Sequence, residues 1–159
     1  MSLANSQQTL KNSIRASGIG LHTGCKVKMT LHPAEVNAGV VFKRTDLPQN
    51  VAFKACASSV GDTQMATSLR SQGYQISTVE HMMSALSGLG IDNVTIEVDG
   101  EELPIMDGSA APFVFLLQSA GIVDQSAKKR FLRILKRIEV RPPDATASLA
   151  PHEGFKLSY

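Results

Sequence analysis

Glu80 and His81 are adjacent and fall in the first turn of a predicted helix, which makes them the strongest catalytic candidates in the sequence. A carboxylate beside an imidazole can act as a general base next to a metal ligand, and the positive end of a helix favours the ionised carboxylate. A purely structural interpretation is also open. Ser77 and Glu80 have the spacing of a capping box, in which Glu80 would bond only the Ser77 amide.

The four histidines of the chain do not form a local metal-binding motif. They are His22, His32, His81 and His152. A catalytic zinc ion needs three protein ligands and one open position, and the sequence contains no HExxH, HxH or CxxC pattern. Any metal site must therefore be assembled from residues that are distant in sequence.

Two further segments could contribute to a site. His22 lies in the segment Ser-Gly-Ile-Gly-Leu-His-Thr-Gly at 17–24, whose glycines suit a phosphate-binding loop but are equally required by a tight turn. Asp107 lies in Pro-Ile-Met-Asp-Gly-Ser-Ala at 104–110, where it could belong to a site or cap the following helix. The residues alone leave both alternatives open.

Hydrophobic periodicity predicts the elements that would hold these residues. Alternation with period two indicates strands near 10–16, 26–31, 40–42 and 94–98. Apolar residues at helical spacing predict helices near 78–89 and 110–120. Because each helix has one apolar stripe, we expect both to pack on the same face of one sheet. The predicted fold class is α+β, a two-layer sandwich in which a mixed β-sheet is covered on one face by two helices.

The composition is that of a globular protein. Of 159 residues, 43% are hydrophobic and 19% are charged, which excludes a disordered or collagen-like chain. No apolar run approaches the roughly 18 to 20 residues that cross a bilayer, and the N-terminus lacks a secretory signal. We therefore expect a cytoplasmic protein without a transmembrane segment. Cys25 and Cys56 are too few for a disulfide framework and are expected to be reduced.

Charge is distributed unevenly along the chain. Residues 1–127 contain 8 Lys and Arg against 11 Asp and Glu, whereas residues 128–159 contain 8 against 3. We expect a first α+β domain over residues 1–125, followed over 126–159 by a linker and the incomplete start of a second, similar domain. The basic stretch 128–141 could bind nucleic acid. Its period-two alternation favours an amphipathic strand instead, so no nucleic-acid partner is expected.

Four ordered segments carry a resemblance to a known family. They are Ser-Gly-Ile-Gly-Leu-His-Thr-Gly at 17–24, Ser-Thr-Val-Glu-His at 77–81, Gly-Leu-Gly-Ile-Asp-Asn at 88–93 and Pro-Ile-Met-Asp-Gly-Ser-Ala-Ala-Pro-Phe at 104–113. In this order and spacing they closely resemble the bacterial UDP-3-O-acyl-N-acetylglucosamine deacetylases, over residues 7–159. The resemblance implies a zinc-dependent amidase that removes the N-acetyl group of UDP-3-O-acyl-N-acetylglucosamine, releasing acetate, at the committed step of lipid A synthesis in Gram-negative bacteria.

The resemblance also implies roles for single residues. His81 would be the first zinc ligand, and Glu80 would be the general base that takes a proton from the attacking water. His22 would lie near the site, where it contacts substrate. Met65 would form a wall near the metal and the acyl chain. The fold implied is a pair of α+β sandwiches with the site between them.

This sequence departs from the family pattern in what it lacks. The other two zinc ligands, a His and an Asp on a second-domain helix, have no counterpart here, and neither do the second-domain general acid and the insert that forms the acyl tunnel. We therefore expect the amino-terminal part of the enzyme, dependent on the missing second domain and inactive alone. The alternative is a non-catalytic binding or assembly module that retains the fold.

Overall fold

The structure, a computed structural model, describes residues 5–49 and 51–158 and divides into two compact units between Lys129 and Arg130. The first unit contains a five-stranded sheet, two helices and two strand pairs, and the second contains one hairpin. In chain order the elements are β1 (Ser6–Leu10), β2 (Ile14–Ile19), β3 (Lys26–Pro33), β4 (Val40–Arg44), β5 (Val51–Lys54), β6 (Leu69–Ser71), β7 (Tyr74–Ile76), α1 (Glu80–Leu89), β8 (Val94–Val98), α2 (Ala111–Ala120), β9 (Ile122–Lys128), β10 (Ile138–Val140) and β11 (Ala147–Leu149).

The central sheet of the first unit is mixed. Its strand order is β2-β3-β8-β4-β5, in which β4 runs parallel to β8 and every other neighbouring pair is antiparallel. In the middle strand, Val94, Ile96 and Val98 are buried, while Thr95 and Glu97 point to the other, partly exposed face. This alternation is what a sheet with one covered face requires. The predicted α+β class with a mixed sheet is confirmed.

Both helices cover the same face of that sheet. Met82 and Leu86 of α1 and Phe113 and Leu117 of α2 belong to one buried cluster that also contains the apolar residues of β3, β4, β5 and β8. The two helices also contact each other. The prediction that two apolar stripes share one partner is confirmed. Within the described residues, no helix combines the length and the apolar character needed to span a membrane.

Two predictions, one of a strand and one of a linker, need correction in the first unit. The stretch 10–16 is not one strand, because β1 ends at Leu10 and the amides of Lys11 and Asn12 donate to the carbonyls of Gly121 and Ala120 at the end of α2. The linker expected to begin at residue 126 is instead part of β9 up to Lys128, and β9 pairs antiparallel with β1. Both corrections have one cause, since β1 finds its partner more than a hundred residues away and no local pattern reports that pairing.

The second unit, from Arg130 onwards, is a two-stranded hairpin. The predicted amphipathic strand over 128–141 is reduced here to β10, which pairs with β11. Arg137 and Arg141 both donate to the carboxylate of Glu139 and so bracket the short strand. The assignment of functional domains to 1–125 and 126–159 stays a prediction.

Phe113 and Phe115 provide a matched test of this architecture, because they lie on the same helix and are 1% and 70% exposed, respectively. We expect Phe113→Ala to lower the free energy of unfolding by about 3 to 5 kcal/mol, through lost burial and the cavity left behind. Phe115→Ala should change it by about 0.5 kcal/mol or less. Urea unfolding followed by circular dichroism measures both, and equal effects would contradict the packing described.

Candidate active site

A fully buried carboxylate, that of Glu102, joins two of the segments that carry the candidate site residues. Its Oε2 accepts hydrogen bonds from the backbone N of Thr23 at 2.9 Å and from the Thr23 hydroxyl at 2.9 Å. The backbone N of His22 donates to both carboxylate oxygens, at 3.1 and 3.2 Å. Oε1 also accepts a hydrogen bond from the Thr78 hydroxyl at 3.0 Å. The turn between β2 and β3 is thereby tied to the residues that precede α1.

The charge of Glu102 is stabilised by these donors. Burial by itself raises the pKa of the Glu102 carboxyl, but hydrogen bonds from the backbone of Thr23 and His22, and from the hydroxyls of Thr23 and Thr78, outweigh it and hold the pKa below its usual value. Glu102 is 0% exposed, so water cannot replace these donors. The folded chain therefore holds a buried carboxylate in its ionised form.

The start of α1 is not the predicted capping box. The Ser77 amide donates to the carbonyl of Glu101 at 2.9 Å, and the residue at the N-cap is Val79, which supplies no side-chain cap. Glu80 instead accepts a hydrogen bond on Oε2 from the backbone N of Thr67 at 3.0 Å. The prediction is wrong because a neighbouring loop supplies a competing donor.

The loop that binds Glu80 also carries Met65. Met65 is 88% exposed, and its side chain stands in solvent two residues before the amide that contacts Glu80. Its backbone has a positive φ of 63°, and Thr78 and Met106, in the other site segments, have φ values of 58° and 57°. Such conformations are unusual for non-glycine residues and cost of order 1 to 3 kcal/mol each. Strained backbone therefore occurs in all three segments around the start of α1.

The structure places the remaining candidates as follows. His81 is half-buried in the first turn of α1, while His22 is exposed in the turn after β2. Asp107 lies near His81. The pKa of the Asp107 carboxyl is held below its usual range mainly by the hydroxyl and backbone N–H of Ser109, with a smaller contribution from His81. Ser109 in turn accepts a hydrogen bond from the backbone N of Ala111, the first residue of α2.

These residues do not fit a complete catalytic zinc site. Such a site needs three protein ligands. Over residues 5–49 and 51–158, no three His, Cys, Asp or Glu side chains come close enough together to hold a metal ion. His81 is a suitable single ligand, because a neutral imidazole offers one ring nitrogen to a metal.

Comparison with known families gives this site its context. The sequence profile of the family described as "LpxC: UDP-3-O-acyl N-acetylglycosamine deacetylase" matches residues 7–159. The chain belongs to the LpxC family. The match includes all four segments from which the resemblance was drawn.

Individual LpxC relatives show how much of the family pattern is covered. A protein of Saccharophagus degradans named UDP-3-O-acyl-N-acetylglucosamine deacetylase is 60% identical over 153 residues, which are 96% of this chain and 50% of that protein. Proteins of the same name from Marinobacter nauticus and Xanthomonas axonopodis pv. citri are 55% and 58% identical with the same coverage. The chain therefore spans about half the length of the curated LpxC relatives it matches.

Glu102 is the residue of this candidate site that cannot be selected from the sequence alone. It follows the turn Asp99-Gly100 directly after Glu101, and two adjacent carboxylates behind a turn are typical of solvent-exposed charge. In the structure Glu102 is buried and Glu101 is exposed. The buried Leu103 and Pro104 that follow are the only local signal that the chain turns inward there.

The lowered pKa of Glu102 predicts a specific pH dependence. A carboxylate whose pKa is lower in the folded state contributes stability above its unfolded pKa of about 4.3 and loses it as pH falls through the folded value. The glutamine in Glu102→Gln cannot titrate and cannot accept hydrogen bonds from all of these donors. At about pH 7 we therefore expect the free energy of unfolding to fall by about 1 to 3 kcal/mol. This difference from the parent chain should shrink as the pH falls from about 4.3 through the lower folded pKa.

Urea unfolding at several pH values measures the effect. Glu101→Gln is the matched control, because it removes the same charge one residue earlier from an exposed side chain. A difference between Glu102→Gln and the parent that stayed constant with pH would contradict the assignment of a buried, ionised carboxylate.

Proposed function

We propose that this chain forms the first half of a zinc-dependent deacetylase that hydrolyses the N-acetyl amide of UDP-3-O-acyl-N-acetylglucosamine in lipid A synthesis. Water adds to the amide carbonyl, the carbon–nitrogen bond breaks, and acetate and the free amine leave. The observation that carries the proposal is membership of the LpxC family over residues 7–159, with Glu80 and His81 in the matched region.

Glu80 serves as the general base in this proposal. Its Oε2 is held by the Thr67 amide at 3.0 Å, and its Oε1 accepts no hydrogen bond from the rest of residues 5–49 and 51–158. One oxygen is thus fixed and the other is available to accept a proton from an attacking water. The carboxylate is half-buried, so it is oriented by the protein and still reachable by solvent.

His81 supplies one metal ligand from the first turn of the same helix. The described residues do not complete a zinc site, so the other two ligands and the general acid would come from the half of the curated relatives that this chain does not match. That second domain is the partner the proposal requires. By family, the complete enzyme acts in the cytoplasm.

His22 and Met65 are assigned to substrate contact. His22 is exposed in a turn whose backbone is fixed by Glu102, so its imidazole can reach a ligand without reordering the main chain. Met65 is exposed on the loop that holds Glu80, and a flexible thioether suits contact with an acyl chain. Both assignments rest on an exposed side chain that stands on or next to backbone fixed by a hydrogen bond.

A chimera tests the proposal, because the relative from Saccharophagus degradans aligns with this chain over 50% of its length. We expect residues 1–159, joined in place of the matching half of that relative, to give an active deacetylase. Glu80→Gln in the chimera should lower kcat by about 10² to 10⁴, since general-base loss costs that much. Release of acetate from the UDP-sugar substrate is the measurement.

Glu101→Gln is the matched control for this loss of charge, and the chimera carrying it should turn over normally. A folded chimera without activity would favour the alternative of a binding or assembly module. Turnover that survives Glu80→Gln would remove Glu80 from the role of base.

Zinc binding separates this chain from the complete enzyme. With one imidazole ligand in place, we expect residues 1–159 to bind zinc more than about 100-fold more weakly than the chimera, since loss of even supporting contacts costs about 10- to 100-fold. His81→Ala should abolish tight binding in the chimera, whereas Glu80→Gln should retain it. Isothermal titration with zinc measures this, and tight one-to-one binding to the 159-residue chain would contradict the expectation.

A further inference from the structure

We propose that Glu102 is a positioning residue, whose buried carboxylate fixes the turn that carries His22 relative to the start of α1, where Glu80 and His81 lie. The inference rests on the proposed function and assigns Glu102 no contact with substrate or metal. His22 is 80 residues away along the chain and Thr78 is 24 away, so Glu102 connects elements that have no local link.

The chemistry of the donors explains why a carboxylate is needed. Two backbone N–H groups, of His22 and Thr23, and two hydroxyls, of Thr23 and Thr78, all donate to it. A carboxylate is acceptor-only and can satisfy every one of these donors, with the added strength of charge-assisted hydrogen bonds. A glutamine amide would present its own N–H groups to the donors on one side. The site therefore discriminates between two side chains of nearly equal shape.

The packing around the carboxylate leaves little freedom to shift. A Cβ at Gly20 would lie 2.4 Å from Oε2 of Glu102 and 2.3 Å from the Thr23 hydroxyl oxygen. Only glycine lets the main chain approach this closely. A second close approach lies on the same segment, where a Cβ at Gly18 would lie 2.7 Å from the Pro104 side chain. The turn and the 102–104 segment thus fit together in one arrangement.

Thr78 transmits this arrangement to the catalytic residues. It is 3% exposed, it adopts a φ of 58° that a β-branched side chain rarely takes, and it precedes Glu80 by two residues. Its hydrogen bond to Glu102 supports that strained conformation, which sets the direction in which α1 begins. If the bond is lost, Thr78 can relax and Glu80 and His81 shift with it.

The kinetic test uses the chimera described above. We expect Glu102→Gln and Thr78→Val each to lower kcat by about 10- to 100-fold, because misplacing a catalytic group by about 1 Å costs as much. KM should change far less in Thr78→Val, since Thr78 does not contact substrate, whereas Glu102→Gln also releases the turn that carries His22 and should raise KM as well. Thr78→Ser restores the hydroxyl donor and should recover most of the turnover that Thr78→Val loses. Glu101→Gln, the neighbouring exposed carboxylate, is the control.

A spectroscopic test needs no activity. In the 159-residue chain labelled with nitrogen-15, Glu102→Gln should move the imidazole resonances of both His22 and His81, whereas Glu101→Gln should move neither. A shift confined to one histidine, or to none, would overturn the proposed link.

The two proposals fail in different ways. If Glu80→Gln abolishes turnover while folded Glu102→Gln and Thr78→Val retain the parent kcat, positioning by Glu102 is wrong and the deacetylase function stands. If Glu102→Gln does not fold, the comparison of Thr78→Val with Thr78→Ser tests the positioning role on its own. If the chimera is inactive, the histidine resonances still test the link between the two segments.

Discussion

The hydrogen bonds to the Glu102 carboxylate determine how the chemically active segments of this chain meet. A buried charge is tolerated only when its hydrogen-bonding capacity is filled. Here the donors come from the turn between β2 and β3 and from Thr78, just before α1. The sheet makes this meeting possible. Because β2 pairs with β3 and β3 pairs with β8, the β2–β3 turn and the chain that leaves β8 lie near one another, where the amide of Ile105 donates to the carbonyl of Ile19.

The layers of the fold could be predicted because they depend on local periodicity. The apolar stripes of α1 and α2 and the alternation of β8 are visible in short windows of sequence, and each is confirmed. The strand order could not be predicted, since it depends on which distant strands pair. The parallel pairing of β4 with β8 and the antiparallel pairing of β1 with β9 join strands that are far apart in sequence, and they depend on how the whole core packs. For the same reason, the residues of β9 looked like a linker when they were considered alone.

The same distinction applies to the candidate site: residues marked by local sequence could be selected, and residues whose contacts come from distant segments could not. Glu80 and His81 could be selected from their residue types, their place on a helix and the ordered family segments. The capping-box prediction failed because spacing reports what Ser77 and Glu80 could do together, and not that Thr67, from a loop 13 residues earlier than Glu80, offers a better placed donor. Glu102 could not be recognised, because its donors are set by tertiary structure while its immediate neighbours resemble a charged surface turn.

The arrangement has a consequence for how the proposed enzyme would acquire its geometry. The contacts that orient the start of α1 are carboxylate and amide hydrogen bonds within the first unit, so the conformational cost of ordering Glu80 and the His22 turn is met when this unit folds. A ligand or a second domain that arrives later then meets groups already held in place, which lowers the entropy it must lose on binding. Holding these groups in place requires strained φ values at Met65 and Thr78, which raise the free energy of the folded state. The hydrogen bonds donated by Thr67 and Thr78 offset this strain. In the proposed enzyme, metal would then complete the chemistry without having to organise this half of the site, and Glu102 would act on Glu80 and His81 without touching the reacting atoms.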